Sequence, residues 1–351
     1  MMGGMEGNVT TAMLIEAGLA AGLDAVGTCA AEPYAGTEQD IADRAERGLF
    51  ADLRFTMARP ESSCHPERLV EDARSVVSAA LCYWFPDPSP GDAVGAVPTG
   101  KVARFSRFDP YAALHARLGV LASLLEESGH AARVLVDDNH HVDREAAVRS
   151  GIGFYGRNTN VITRRHGSWV VLGTIVTSAP LEPTEPMRPG CGSCTLCIDA
   201  CPTAAIVEPG VLDAGRCLTY WTQSRHEVPE EMAEALGEMV YGCDICQDVC
   251  PWNRGIEKRR SGHDPMDGRV DLLDWLAAPD GDLDDRYARF FVPRRKMAFL
   301  RRNALIALGN GGDEVDAPIA AAYLDDPEPS VAAAARRAMS LLGGPVAEAL
   351  K

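Results

Sequence analysis

The 351-residue chain contains no run of eighteen or more apolar residues, which excludes an ordinary membrane-spanning helix. Its first 26 residues hold no lysine or arginine, and Glu16 interrupts their apolar stretch. That segment therefore reads as an amphipathic helix beginning near Thr10, not as a secretory signal, and a cytoplasmic location is expected. Positive charge is also scarce: 34 Lys and Arg against 50 Asp and Glu give a net charge of −16. A general nucleic-acid coat is thereby excluded, because duplex binding rests on neutralising phosphates. Phosphate-cradling glycine loops are missing as well. There is no G-x-x-x-x-G-K-S/T, and Gly151-Ile-Gly153-Phe-Tyr-Gly156 follows a helical pattern and precedes a strand, the reverse of a dinucleotide fingerprint.

Cysteine, by contrast, is plentiful. Eight of the eleven cysteines fall between positions 191 and 250, and a reducing compartment disfavours disulfides. The first run, Cys191-x2-Cys194-x2-Cys197-x3-Cys201-Pro202, wraps three thiolates around one cubane while its fourth cysteine turns to another. The second set is Cys217, then Cys243-x2-Cys246-x3-Cys250-Pro251. Crossing the last cysteine of each run gives one [4Fe–4S] cluster on Cys191, Cys194, Cys197 and Cys250, and a second on Cys217, Cys243, Cys246 and Cys201. Zinc ribbons use paired C-x2-C knuckles and do not need this arrangement. Without a nucleotide site, electrons are expected to arrive through the clusters from an external low-potential donor. Cys29, Cys64 and Cys82 receive no role; Cys82 lies in a buried-strand pattern where cysteine acts as a small hydrophobe.

The expected fold class is α+β, with an α/β domain over 1–183, a bacterial-ferredoxin-like two-cluster module over 184–255 and a helical domain over 256–351. Candidate strands are Asp24–Thr28, Ser75–Trp84, Arg133–Val136 and Trp169–Ser178, and Leu114–Ser128 has helical spacing ending at Gly129. Proline and glycine make Phe85–Gly100 a loop. Segments 302–309 and 336–343 are similar at a spacing of 34, the signature of stacked HEAT-like helix pairs. Residues 286–302 carry six arginines and Lys296 with no acidic residue, a local surface for a polyanion or simply a solvated face. His140 and His141 are adjacent and read as surface or loop histidines.

The order of Ala73–Ser78, Arg144–Thr159, Gly167-Ser-Trp169, Cys191–Pro202, Tyr241–Cys246, Val249-Cys-Pro-Trp-Asn253 and Phe299–Asn303 resembles the epoxyqueuosine reductase family across nearly the whole chain. The resemblance implies a base-off cobalamin between the N-terminal domain and the cluster module. It also implies reduction of the epoxide of epoxyqueuosine, at the wobble position of tRNA, to queuosine by Co(I), in an enzyme taken to be a monomer. It places Asp137 as the general acid that protonates the departing oxygen. It places Arg59, Asn158, Thr159, Asn160, Ser168 and Asp244 at the cobalamin, and Lys296, Arg301 and Arg302 at the tRNA. The chain departs from the family pattern at Asp138-Asn139-His140 and at Ala112. Two other readings remain open at this point: a related corrinoid iron–sulfur reductase with another substrate, and a ferredoxin-like electron-transfer adaptor.

Overall fold

The computed structural model describes residues 9–87, 97–262, 266 and 268–343. Among them are strands β1 (Ala25–Ala30), β2 (Ser75–Cys82), β3 (Thr99–Val102), β4 (Ala132–Val136), β5 (Gly153–Tyr155), β6 (Val161–Thr163), β7 (Val170–Thr177), β8 (Ile206–Glu208), β9 (Val211–Leu212), β10 (Met239–Tyr241) and β11 (Arg269–Asp271). No described helix is long and apolar enough to cross a membrane.

The N-terminal part is built on a four-stranded antiparallel sheet in the order β1-β2-β7-β4. β2 is buried at every position because it is central and covered on both faces, which explains its unbroken apolar and small-residue run. One face packs against helices Thr11–Ala20 and Pro110–Glu127, where Leu114, Leu118, Leu121 and Leu125 are fully buried with Val77, Leu81 and Ile175. A Cβ at Gly173 of β7 would come within 2.8 Å of Leu118 Cδ1, so glycine is what lets this helix approach. The other face packs against helices Ala35–Glu46 and Asp143–Arg149. All four expected strands are present with ends within two residues. The long helix starts earlier than its apolar spacing shows, because Asp109 accepts the Ala112 amide and Pro110 suits the first helical position.

Two expectations need correction. The stretch read as a loop from Phe85 ends in β3, whose Thr99 and Gly100 are extended; residues 88–96 of it lie outside the described residues. β3 is the middle strand of a second sheet, β10-β3-β11, parallel to β10 and antiparallel to β11. Each strand comes from a different one of the three expected segments, so the segments are joined by main-chain hydrogen bonds. A single core continues from this sheet into the C-terminal helices, from Val102 and Val240 through Trp275 and Phe290 to Leu305 and Ala338. The two similar segments lie on helices Ala298–Gly311 and Pro329–Leu341, which pack so closely that a Cβ at Gly309 would meet Ala338 Cα at 2.8 Å.

The second correction concerns Arg302, expected on a tRNA-facing surface. It is wholly buried, and its guanidinium donates to the carbonyls of Trp221, Ser224 and His226 and to Asn303 Oδ1. It is a structural rivet between the cluster module and the C-terminal helix. Arg302→Leu should take the donor from three carbonyls, the Ser224 one buried and the other two part-buried, and cost about 3 kcal/mol in chemical denaturation, while RNA affinity of the folded fraction stays unchanged.

Candidate active site

All eleven cysteines are free thiols. Cys191 and Cys194 precede the short helix Leu196–Asp199 and Cys197 lies in it; Cys243 likewise precedes the helix Ile245–Asp248 and Cys246 lies in it, and the two helices touch. Cys191, Cys194, Cys197 and Cys250 line one cavity of about 110 Å³, closed by Asn158, Gly190 and Trp252. A single water needs only about 10–15 Å³ on that measure, so the space suits a compact inorganic cluster. Cys217, Cys243 and Cys201 form the other electrostatic group, with Cys246 facing Cys243 and Cys217. Burial first, then neighbouring sulfurs, pushes the Cys217, Cys243 and Cys246 thiols up, Cys243 to about 12. Such crowding suits thiolates only when a cation shares the space.

The cluster region is latched to the N-terminal sheet by Asn253. Its Oδ1 accepts from the Ser168 amide at 2.8 Å, and its Nδ2 donates to Ser168 Oγ at 2.9 Å and Gln247 O at 2.7 Å. Gln247 Oε1 in turn accepts from Ser168 Oγ at 2.9 Å and Tyr83 OH at 3.1 Å. Gly167 has φ of +57° and a Cβ there would lie 1.8 Å from Asn253 Oδ1, so only glycine fits. Asp244 is buried beside this latch and accepts from the Arg104 amide at 2.8 Å and Gln247 Nε2 at 3.3 Å. Burial raises its carboxyl to about 6.

Asp137 follows β4 directly and holds φ of +51°, a left-handed conformation that a non-glycine residue keeps only when its surroundings fix it. The residue reaches solvent, yet the surrounding walls exclude enough water to raise its carboxyl, and the Asp138 charge adds to that. Tyr111, Asp143 and Tyr241 are near enough to feel Asp137's charge. Asp143, raised to about 6 chiefly by burial, is a second protonatable carboxyl near Asp137. His141 is no surface histidine. It is buried, with Nε2 at 3.0 Å from Tyr34 OH and Nδ1 at 2.9 Å from Thr174 Oγ1, and burial lowers it to about 4, so it is neutral. It pins the far end of the loop that carries Asp137 to β7, whereas His140 is exposed on Asp138.

Residues 64–138 match the family described as "Epoxyqueuosine reductase QueG, DUF1730", and residues 190–253 match "4Fe-4S double cluster binding domain". An epoxyqueuosine reductase of Bacillus anthracis is 31% identical over 338 residues, covering 92% of this chain and 86% of that protein. One from Synechocystis sp. is 37% identical over 286 residues, covering 78% of this chain and 97% of that protein. The chain belongs to the epoxyqueuosine reductase family. A crystal structure of epoxyqueuosine reductase with an epoxyqueuosine-modified tRNA-Tyr stem loop superposes with a TM-score of 0.83 at 30% identity, covering 95% of this chain and 90% of that one. The Bacillus subtilis epoxyqueuosine reductase with its catalytic loop swung out of the active site gives 0.85 at 30% identity over the same shares.

In this epoxyqueuosine reductase family member, the residues singled out for cobalamin divide into two kinds. Ser168 and Asp244 spend their side chains on the latch, and Asn158 Nδ2 donates to Cys246 O at 3.3 Å. Arg59, Thr159 and Asn160 have side chains with no hydrogen-bond partner among the described residues, and Thr159 is held at φ of +67°. Of the expected tRNA contacts, Lys296 is paired with Glu328, and Arg301 bonds Asp280 and the Ala278 carbonyl. Sequence reasoning missed Tyr111, Asp143, Tyr241, Gln247 and Asn253; for the last, the C-P-W-N motif was the available signal. Gly167→Ala and Gly129→Ala both place alanine at positive φ, about 1–2 kcal/mol each, but Gly129, in the turn after the helix Pro110–Glu127, has open space around it. Only Gly167→Ala should also lower iron retained after anaerobic reconstitution.

Proposed function

We propose that this chain reduces the epoxide of epoxyqueuosine in tRNA to queuosine, with two [4Fe–4S] clusters and cobalamin as cofactors and Asp137 as the general acid. The observation that carries this reading is a protonatable carboxyl held at the end of β4, in a chain whose other part gathers eight thiols into two groups. The ligand sets are Cys191, Cys194, Cys197 and Cys250 for one cluster and Cys201, Cys217, Cys243 and Cys246 for the other. Their fit rests on the chemistry of the donors: eight thiols, four of which line a cavity with space for a cubane.

A corrinoid is fringed with amide groups, and Arg59, Thr159 and Asn160 offer unpartnered donors and acceptors to them, while Ser168, Asp244 and Asn158 shape the wall. When bound, the clusters and the cobalt supply the two electrons that the reduction needs. The chain's own residues then manage the protons. As the carbon–oxygen bond of the strained ring breaks, Asp137 gives its proton to the departing oxygen, which ultimately leaves as water after taking up a second proton. A raised carboxyl keeps that proton available nearer neutrality. His141 keeps the Asp137 loop seated by its two hydrogen bonds. The C-terminal helices, read as a HEAT-like pair, face the tRNA with the cationic side chains that remain exposed. An external low-potential donor feeds the clusters.

Mass spectrometry of tRNA nucleosides after anaerobic incubation of the reconstituted protein with epoxyqueuosine-containing tRNA and a strong reductant tests the reading. Queuosine should replace epoxyqueuosine; unchanged nucleoside with full iron and corrinoid content would refute it. Asp137→Asn should keep both cofactors and lose at least about 100-fold in turnover. Because the acid works protonated and its folded pKa is raised, kcat/KM of the wild type should fall as pH rises through that value, and the variant should lack this limb. Cys250→Ser and Cys246→Ser should each remove about half of the iron.

A further inference from the structure

We propose that Phe55 and Phe291 form a stacking platform for an unpaired base of the RNA substrate, with Arg54 and Arg294 holding the flanking phosphates; this deepens, and rests on, the tRNA reading above. The two rings lie edge to face with centroids 6.1 Å apart, and they remain 44% and 53% exposed. Two such rings brought together at the surface from distant parts of one chain offer a flat apolar face to a partner. Neighbouring Phe290 shows the contrast: it is buried and stacked on Tyr241 at 3.8 Å, while Phe291 turns outward.

Both rings are mounted rigidly. The Phe291 amide donates to the hydroxyl of buried Tyr241 at 2.6 Å, which fixes the backbone under that ring. The segment carrying Phe55 is tied down by Asp52, which accepts from Tyr220 OH at 2.7 Å and meets His226 Nε2 at 3.0 Å. Charge complementarity points to a nucleic acid. In the basic run, Arg286, Arg295, Lys296 and Arg301 are each paired with a carboxylate, Arg302 is buried, and Arg289 bonds carbonyls and Met266. Arg54, which precedes Phe55, and Arg294, three residues after Phe291, are exposed, and their side chains have no protein partner among the described residues. Exposed aromatic rings with unneutralised arginines close by in the chain suit splayed-out bases of a single strand, and a paired duplex offers them no free base.

The test is fluorescence anisotropy on the anaerobically reconstituted protein with two probes: a synthetic anticodon stem-loop RNA and a blunt, fully paired RNA of equal nucleotide count. Phe55→Ala/Phe291→Ala should weaken the stem-loop about tenfold or more and leave the duplex unchanged, with Trp at either position restoring affinity. Arg54→Gln/Arg294→Gln should weaken both probes and reduce the salt slope by about 2. Equal stem-loop affinity in the Phe variant, or equal losses for both probes, overturns the platform while leaving the tRNA reading intact. Lost corrinoid content in the Phe variant would reassign the rings to the cofactor pocket and overturn it too. No stem-loop binding by the wild type would remove the tRNA reading, and the platform with it.

Discussion

The Asn253 amide is the joint on which the arrangement depends. Both ends of one side chain are satisfied by groups on two structural parts, the Ser168 backbone and hydroxyl on one side and the Gln247 carbonyl on the other. An amide in that position cannot rotate without leaving buried donors and acceptors unpaired, a cost of about 1–3 kcal/mol for each group. The joint therefore fixes the distance between the cysteine-bearing loops and the sheet whose edge strand delivers Asp137. Trp252, next in sequence, closes the thiol-lined cavity against Phe154, so one short motif both shuts that cavity and clamps it to its neighbour.

Charge is handled with similar economy. The chain is acidic overall, yet its basic run is almost entirely consumed inside the protein. Arg302 is sealed among carbonyls, and the exposed cations of the run mostly meet carboxylates. What is left for an external polyanion is sparse and local. Surface ion pairs of this kind are individually worth little in stability, and their effect here is to decide which cations stay available.

Much of this was legible in the sequence, for physical reasons. The strands β2 and β7 announce themselves because burial on both faces forces unbroken apolar runs, and the cysteine spacing is set by the size of an inorganic cage. His141 and Arg302 were not legible. A lone polar residue looks the same in a sequence whether it faces water or is buried with every donor satisfied, and only the partners, Tyr34 and Thr174 for one and three carbonyls for the other, decide. β3 was hidden for a related reason: a four-residue strand beside glycine and proline carries little periodicity, and its identity comes from two distant partners. Arg54 and Phe55 carry no motif, and Phe291 stands out from Phe290 only once the fold turns one ring inward and the other outward.

The β10-β3-β11 sheet has a consequence for how the molecule comes into being. Thr99 pairs with Asp271, and Lys101 with both Met239 and Arg269, so the middle strand waits for residues made much later. During synthesis the N-terminal sheet can assemble first, but the edge of β3 stays open until the cysteine-bearing stretch and the chain beyond it have emerged. Long-range pairing of this sort slows folding and leaves a strand edge exposed in the interim. The cluster region is in this sense a late-arriving keystone, and cutting the chain at either side of it would yield fragments with an unmatched strand, not autonomous pieces.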